Sequence, residues 1–168
     1  MRLIAFVAAA LIVSLPASAQ TWKEYDYPDN GFYVHLPADP KVEDGTYTTV
    51  DGKTVKARIY SLEHENISYA VTVADFSQET MQEEAAIDQA VKQVIADGEV
   101  LVDIPHRINS TYGRQLSIKG KDDSRASVAV FFRDKKLYVA NGKLLAAHPD
   151  KGTGEATRFQ QTLGWSGQ

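Results

Sequence analysis

The chain has 168 residues, no cysteine, and 22 acidic against 18 basic residues, which gives a formal net charge of −4. The absence of cysteine excludes disulfides, thiolate metal ligands, a thiol nucleophile and a lipid anchor on cysteine. The mild acidity, without a long run of like charges, argues against binding to nucleic acid, for which a basic stripe is typical. We therefore expect ordinary packing to hold the core together.

The first nineteen residues have the pattern of a secretory signal peptide. Arg2 precedes an uncharged apolar run over residues 3–15, and the triplet Ala-Ser-Ala stands immediately before Gln20. The apolar run is shorter than the ~20 residues that a membrane-spanning helix needs. We therefore predict that residues 1–19 are cleaved and that residues 20–168 form a single domain without a membrane anchor. The short alanine-rich signal favours the bacterial periplasm, with secretion as the alternative.

The first part of the predicted domain has the alternation of β-strands. Apolar residues at every second position of residues 32–36 indicate a half-buried strand. A hairpin is predicted over residues 47–62, with Asp51-Gly52 as a two-residue type I′ turn. A further strand is predicted over residues 68–76, where both alternating sets contain apolar side chains.

The period then changes from two residues to about 3.6, which predicts a long helix between Met81 and Ile95. The spacing of Thr80 and Glu83 fits a capping box at the start of this helix. Gly98 is predicted to end it in a left-handed conformation.

Strands resume after the helix, and a second helix closes the chain. These elements are predicted at residues 99–107, 112–119, 125–132 and 137–141, with the helix at residues 154–163. Pro105 indicates an edge strand because proline lacks an N–H, whereas apolar residues on both faces of 125–132 indicate a central strand. Hairpin-length connections on both sides of the long helix predict an α+β fold. Its antiparallel sheet has the long helix on one face and the C-terminal helix on the other.

The chain shows a recognisable order of segments: the opening GFYVHLP, the hairpin strands, a mid-chain helix that ends in glycine, DKKLYVA, and the closing RFQQTLGW. In this order the chain resembles exported bacterial relatives of the Mog1/PsbP-like α/β/α sandwich. The resemblance implies the sandwich fold and favours a binding or accessory role, because members assist photosystem II or bind a small GTPase. It assigns no binding residue to this sequence.

The sequence contains no decisive catalytic or metal-binding motif. His64-Glu65 begins like a zinc-binding helix, but Ser68 stands where the second histidine is required. A Gly-x-Ser-x-Gly nucleophile motif, a P-loop and a twelve-residue calcium loop are all absent. We therefore predict a protein that is not an enzyme and needs no cofactor or metal. The predicted function is an exported binding or accessory domain with a protein or small-molecule partner.

Two other functions stay open. A hydrolase built from scattered carboxylates and histidines requires His35 or His106 within hydrogen-bond reach of an acid in a deep cleft. A self-assembling envelope protein requires a sizeable exposed apolar patch or an unprotected edge strand.

Four side chains are the candidate binding residues: Tyr33, His35, Arg58 and Tyr60. If the large aliphatic residues of the first strands face the long helix, these four share the opposite face of the sheet. Beside them would lie a floor of small side chains, namely Ala70, Thr72 and Ala74. Such a surface suits a peptide, a glycan or a small anion. The alternative is that the small residues make room for the C-terminal helix, with Phe159 packed over them.

Overall fold

The computed structural model describes residues 21–96, 98–145 and 152–167, so the predicted signal peptide lies outside the described residues. In chain order the elements are β1 (Lys23–Tyr27), β2 (Phe32–Leu36), β3 (Lys41–Thr48), β4 (Thr54–His64), β5 (Ile67–Asp75), α1 (Glu83–Ile95), β6 (Gly98–Ile108), β7 (Thr111–Gly120), β8 (Arg125–Arg133), β9 (Lys136–Leu144), α2 (Gly154–Gln161) and β10 (Gly164–Trp165). Neither α-helix of this described part is long and apolar enough to cross a membrane.

Seven strands form one antiparallel sheet in the order β3-β4-β5-β9-β8-β7-β6. Helix α1 packs on one face and α2 on the other, as the alternation of β8 shows. Val128 and Val130 belong to the apolar cluster under α1, whereas Ala129 and Phe131 belong to the cluster that contains α2. The predicted α+β fold, with one helix on each face, is confirmed. β8 is also the two-sided central strand that its sequence indicates, and β6 is an edge strand, as Pro105 indicates.

A second sheet, with strand order β1-β2-β10, covers part of the α2 face and is not foreseen by the sequence. The predicted strand at residues 32–36 belongs to this small sheet. Aromatic rings fill the space between the two sheets: the centroid of Phe32 is 5.0 Å from that of Tyr60, and Tyr138 and Trp165 are 5.1 Å apart. Burial of such large rings provides much of the packing energy between the sheets.

The predicted hairpin between β3 and β4 is confirmed, but its turn is not a two-residue type I′ turn. A type I′ turn needs a positive φ at both central residues, and here only Gly52 has one, at +84°. The backbone N–H of Thr49 donates to the carbonyl of Lys53 at 2.8 Å, and the N–H of Gly52 donates to the carbonyl of Thr49 at 2.9 Å. The connection is therefore the three-residue type that ends in a left-handed glycine.

Two predictions about the ends of α1 are wrong. The residue before the helix is Gln82, whose backbone is extended, and no side chain caps the first turn. The predicted capping box at Thr80 is therefore not formed. Gly98 does not end the helix in a left-handed conformation; it is the first residue of β6.

Gly142 allows α2 to lie directly on β9. A Cβ atom at this position would come within 2.6 Å of the carbonyl oxygen of Ala156 and 2.9 Å of its Cα. We expect Gly142→Ala to lower the free energy of unfolding by about 1–3 kcal/mol, because the helix backbone must move away from the sheet. Urea denaturation measures this change.

Gly152→Ala is the matched control, since no atom lies within 4 Å of a Cβ placed there. Equal denaturation midpoints for the two variants would contradict the close packing of α2 on β9.

Candidate functional site

The turn Pro28–Asn30 joins β1 to β2 and is fastened to the large sheet by three hydrogen bonds. The hydroxyl of Tyr138 donates to the carbonyl oxygen of Asn30 at 2.8 Å. The side-chain amide of Asn30 donates to the hydroxyl of Tyr60 at 2.7 Å. Lys136 Nζ donates to a backbone carbonyl of the turn, that of Asp29, at 3.1 Å. These bonds set the place at which the small sheet stops covering the large one.

Beyond this turn the same face of the large sheet is open and charged. A groove of about 420 Å³ is lined by Asp29, Asn30, Asp44, Lys56, Ala57, Arg58, Val73, Asp75 and Lys136. We call it the charged groove. Its six charged side chains comprise three basic and three acidic ones, so its net charge is close to zero while its local fields are of both signs.

Strand register explains why these side chains meet. Arg58 is opposite Asp44 on β3 and opposite Val73 on β5, and Asp75 is opposite Lys136 on β9. Directly opposed residues of antiparallel strands point to the same face. The groove is therefore a patch of cross-strand neighbours drawn from four strands and closed on one side by the turn.

Arg58 and Asp44 form an ion pair at the rim of the charged groove. Arg58 Nη1 is 2.5 Å from Asp44 Oδ1, and the side chain of Asp44 is 84% exposed. Exposed pairs of this kind contribute only about 0–1 kcal/mol to stability. A partner can therefore separate the two side chains and pair with each of them at little cost.

Asp75 is also exposed, and a hydrogen bond favours its ionised form. The backbone N–H of Ser77 donates to Asp75 Oδ1 at 2.8 Å. This bond, more than the nearby charges of Lys136 and Lys56, holds the pKa of Asp75 below its ordinary value.

The two lysines keep hydrogen-bonding capacity for a ligand. Lys136 uses one N–H on the turn, and an ammonium group has three. Among the residues that the structure describes, neither Lys56 nor Lys136 has a carboxylate oxygen within 4.0 Å. Both ammonium groups are therefore able to donate hydrogen bonds to an anionic group of a partner.

The structure does not bring the four predicted site residues together. Arg58 lines the charged groove, and Tyr60 lies buried beside it with its hydroxyl bonded to the turn. Tyr33 and His35 alternate with buried residues of β2 and lie on the outer face of the small sheet. The cluster of four is therefore divided between two surfaces, and the binding role of each residue stays a prediction.

The predicted floor of small residues lies on the opposite face from Arg58 and Tyr60. These two residues are paired with Val73 and Val71, so Ala70, Thr72 and Ala74 point the other way. The large residues of β5 face α2 and the small sheet, whereas Ala74 packs in the cluster under α1. Phe159 packs 5.2 Å from Tyr69, so the small residues do not make room for it either.

Tyr138 makes the fastening of the turn dependent on pH. Its burial, together with the charge of Asp134, raises the pKa of Tyr138 to about 12 from an ordinary value of 10.0. The unfolded chain therefore loses this proton first, and stability falls as pH rises from about 10 towards 12.

We expect Tyr138→Phe to lower the free energy of unfolding by about 1–2 kcal/mol at neutral pH, because the hydrogen bond is lost. The same variant should reduce the alkaline loss by up to about 1 kcal/mol at pH ~11.

Urea denaturation at neutral and alkaline pH tests both effects. Tyr112→Phe is the control, because Tyr112 is an exposed tyrosine outside this core. If Tyr138→Phe and the unaltered chain lose the same unfolding free energy between neutral and alkaline pH, the Tyr138 hydroxyl is not the source of the pH dependence.

Comparison with known proteins supports the fold and leaves the activity open. No family model matches the chain, and no curated protein matches it. Among solved structures the chain is similar to the solution structure of cyanobacterial PsbP (CyanoP) from Synechocystis sp. PCC 6803. The TM-score is 0.59 at 12% identity, over 92% of this chain and 98% of that one. The resemblance predicted from the sequence is thus confirmed as a relationship of fold, and the chain has a PsbP-like α/β/α sandwich.

Proposed function

We propose that this protein is an exported, non-catalytic binding or accessory domain that recognises a partner protein through the charged groove. One observation carries the proposal: the small sheet stops at the Pro28–Asn30 turn and leaves Lys56, Arg58 and Lys136 open beside the covered aromatic part of the same face. A sandwich gains stability by covering such a face. The charged end next to the turn is left open and is therefore free for recognition.

The groove fits a protein surface better than an enclosed small molecule. Pockets for small ligands bury most of the ligand and are lined mainly by apolar groups, whereas this groove is shallow, charged and bordered by the largely exposed Asp44. A pattern of three cations and three carboxylates selects partners by the arrangement of their charges. Such complementarity contributes to specificity and to the rate of association.

The fold and the sequence both favour a binding or accessory role. The structural neighbour is a PsbP protein, and the family that the sequence resembles contains accessory proteins. A fold shared at this distance does not assign a function, so the groove itself has to carry the proposal. Export to the periplasm is part of the proposal and depends on the signal pattern in residues 1–19.

The hydrolase alternative gains one contact, but in the part of the chain that the structure describes neither His35 nor His106 lies in a deep cleft. His35 Nε2 lies 3.2 Å from Glu24 Oε2, so an acid is within reach. Both side chains are exposed, by 37% and 58%, on the outer face of the small sheet. His106 packs against the ring of Phe131 at 5.5 Å, and burial lowers its pKa. Water-excluded catalysis needs an enclosed site, which neither histidine has here.

Charge reversal of both lysines tests the groove as the recognition site. We expect Lys56→Glu combined with Lys136→Glu to weaken capture of the partner by roughly tenfold or more, because two attractive contacts become repulsive. Tagged protein is used to capture partners from a native periplasmic extract. Mass spectrometry identifies them, and titration calorimetry then measures the affinity for the partner that is found.

The control is Lys119→Glu with Lys143→Glu, which makes the same charge change away from the groove. Loss of capture in the control to the same extent would mean that net charge matters and the groove does not. Undiminished capture by the groove variant would remove the groove from consideration.

A further inference from the structure

A second groove, of about 550 Å³, lies on the face of the large sheet that carries α1, between the first two turns of this helix and the beginning of β7. Helix α1 contributes Glu83, Glu84, Ile87 and Asp88 to its lining, and β7 contributes Tyr112 and Arg114. We call it the helix groove. The charged groove lies on the opposite face of the sheet, which carries α2, so the two grooves are separate surfaces.

The alternation of β7 places Tyr112 and Arg114 beside α1. Leu116 belongs to the apolar cluster under this helix, and Arg114 is paired with Val130 of β8, another member of that cluster. Every second residue of a strand points to the same face, so Tyr112 and Arg114 continue the α1 face beyond its buried part. Ile87 is the buried apolar member of the lining and lies on the helix side of the groove.

Tyr112 presents an uncovered aromatic ring at the helix groove. Its side chain is 62% exposed, which is unusual for a large ring on a sheet face. The face of an aromatic ring attracts a cation. Arg107, its cross-strand partner, already has its guanidinium carbon 5.7 Å from the ring centroid. This contact shows that a guanidinium group can approach the ring at this place.

The carboxylates in the lining outnumber the cations, and the cation is already paired. Arg114 donates to Asp103 from Nε at 2.9 Å and from Nη2 at 2.5 Å, while its Nη1 lies 3.9 Å from Asp88. Among the residues that the structure describes, neither Glu83 nor Glu84 has a cation within 4.0 Å. A partner therefore meets an excess of negative charge beside the exposed ring.

The position of these acids on the helix explains only part of this charge. The partial positive charge of a helix N-terminus favours acids in the first turn, where Glu83 and Glu84 stand. Asp88 lies in the second turn, four residues after Glu84, and like charges at this spacing repel each other. A cation bound between Glu84 and Asp88 would relieve this repulsion.

We propose that the helix groove binds a lysine or arginine side chain on an exposed basic segment of a partner protein. The aliphatic stem of such a side chain packs against Ile87 and the ring of Tyr112, and its cationic head meets Glu84 and Asp88. Both parts of the side chain thus find the group that suits them. The proposal is independent of the charged groove, because it uses residues of the other face.

Titration of the ¹⁵N-labelled protein with an acetylated hexalysine amide at low ionic strength tests the proposal. We expect saturable binding, with amide shifts concentrated in residues 82–88 and 112–114. Glu84→Gln combined with Asp88→Asn should raise the dissociation constant by about tenfold or more, because the cation loses both carboxylates. Tyr112→Ala should raise it about two- to fivefold through the lost ring contact. Far-UV spectra confirm that the variants are folded.

Glu43→Gln combined with Glu63→Gln is the matched control, because it removes the same charge from β3 and β4 at the other edge of the sheet. This control should bind hexalysine like the unaltered protein, and an uncharged hexapeptide of Nε-acetyl-lysine should bind neither. Equal weakening in the control would overturn the groove as the site, since net charge alone would then explain the binding. The absence of saturable binding to the unaltered protein would also overturn the proposal.

Discussion

The hydrogen bond from the buried hydroxyl of Tyr138 to the carbonyl oxygen of Asn30 determines where the small sheet ends on the large one. Tyr138 stands on a central strand and packs against Phe32 and Trp165 of the small sheet, so its hydroxyl has little freedom to move. Leaving a buried polar group without a partner costs about 1–3 kcal/mol. The carbonyl of Asn30 is therefore held at one place, and Tyr60 holds the side chain of the same residue.

This constraint separates an apolar region of one sheet face from a charged one. On the covered side of the turn, Tyr60 and Val71 are paired and buried. One cross-strand row further, Arg58 pairs with Val73 and bonds to Asp44, and the next row holds Asp75 opposite Lys136. Removing the turn from its place would expose the aromatic core and would also remove one wall of the charged groove. Stability of the sandwich and shape of the groove thus depend on the same few atoms.

The parts of this structure that the sequence predicts are those that depend on local properties of a strand. Apolar residues on both faces of β8 require cover on both sides, and a proline in β6 is tolerated at an edge, so both placements follow from neighbouring residues alone. In β5 the alternation divides the side chains into two sets. It does not show which helix covers which set, because both sets contain apolar side chains, and the predicted placement of the small residues beside Arg58 and Tyr60 is wrong for this reason. The outer position of Tyr33 and His35 has a related cause, since alternation does not show to which sheet a strand belongs.

The charged groove could not be predicted as a whole for a further reason: its parts are distant in sequence. Lys136 reaches a turn 107 residues before it, and the two meet only because β9 pairs with β5 in the middle of the sheet. Alternation along β4 predicts that Lys56 and Arg58 share one face. Both residues, like Asp44, carry the same local signal of an exposed strand residue as many other charges in the chain. Only the register of β3, β4, β5 and β9 distinguishes them.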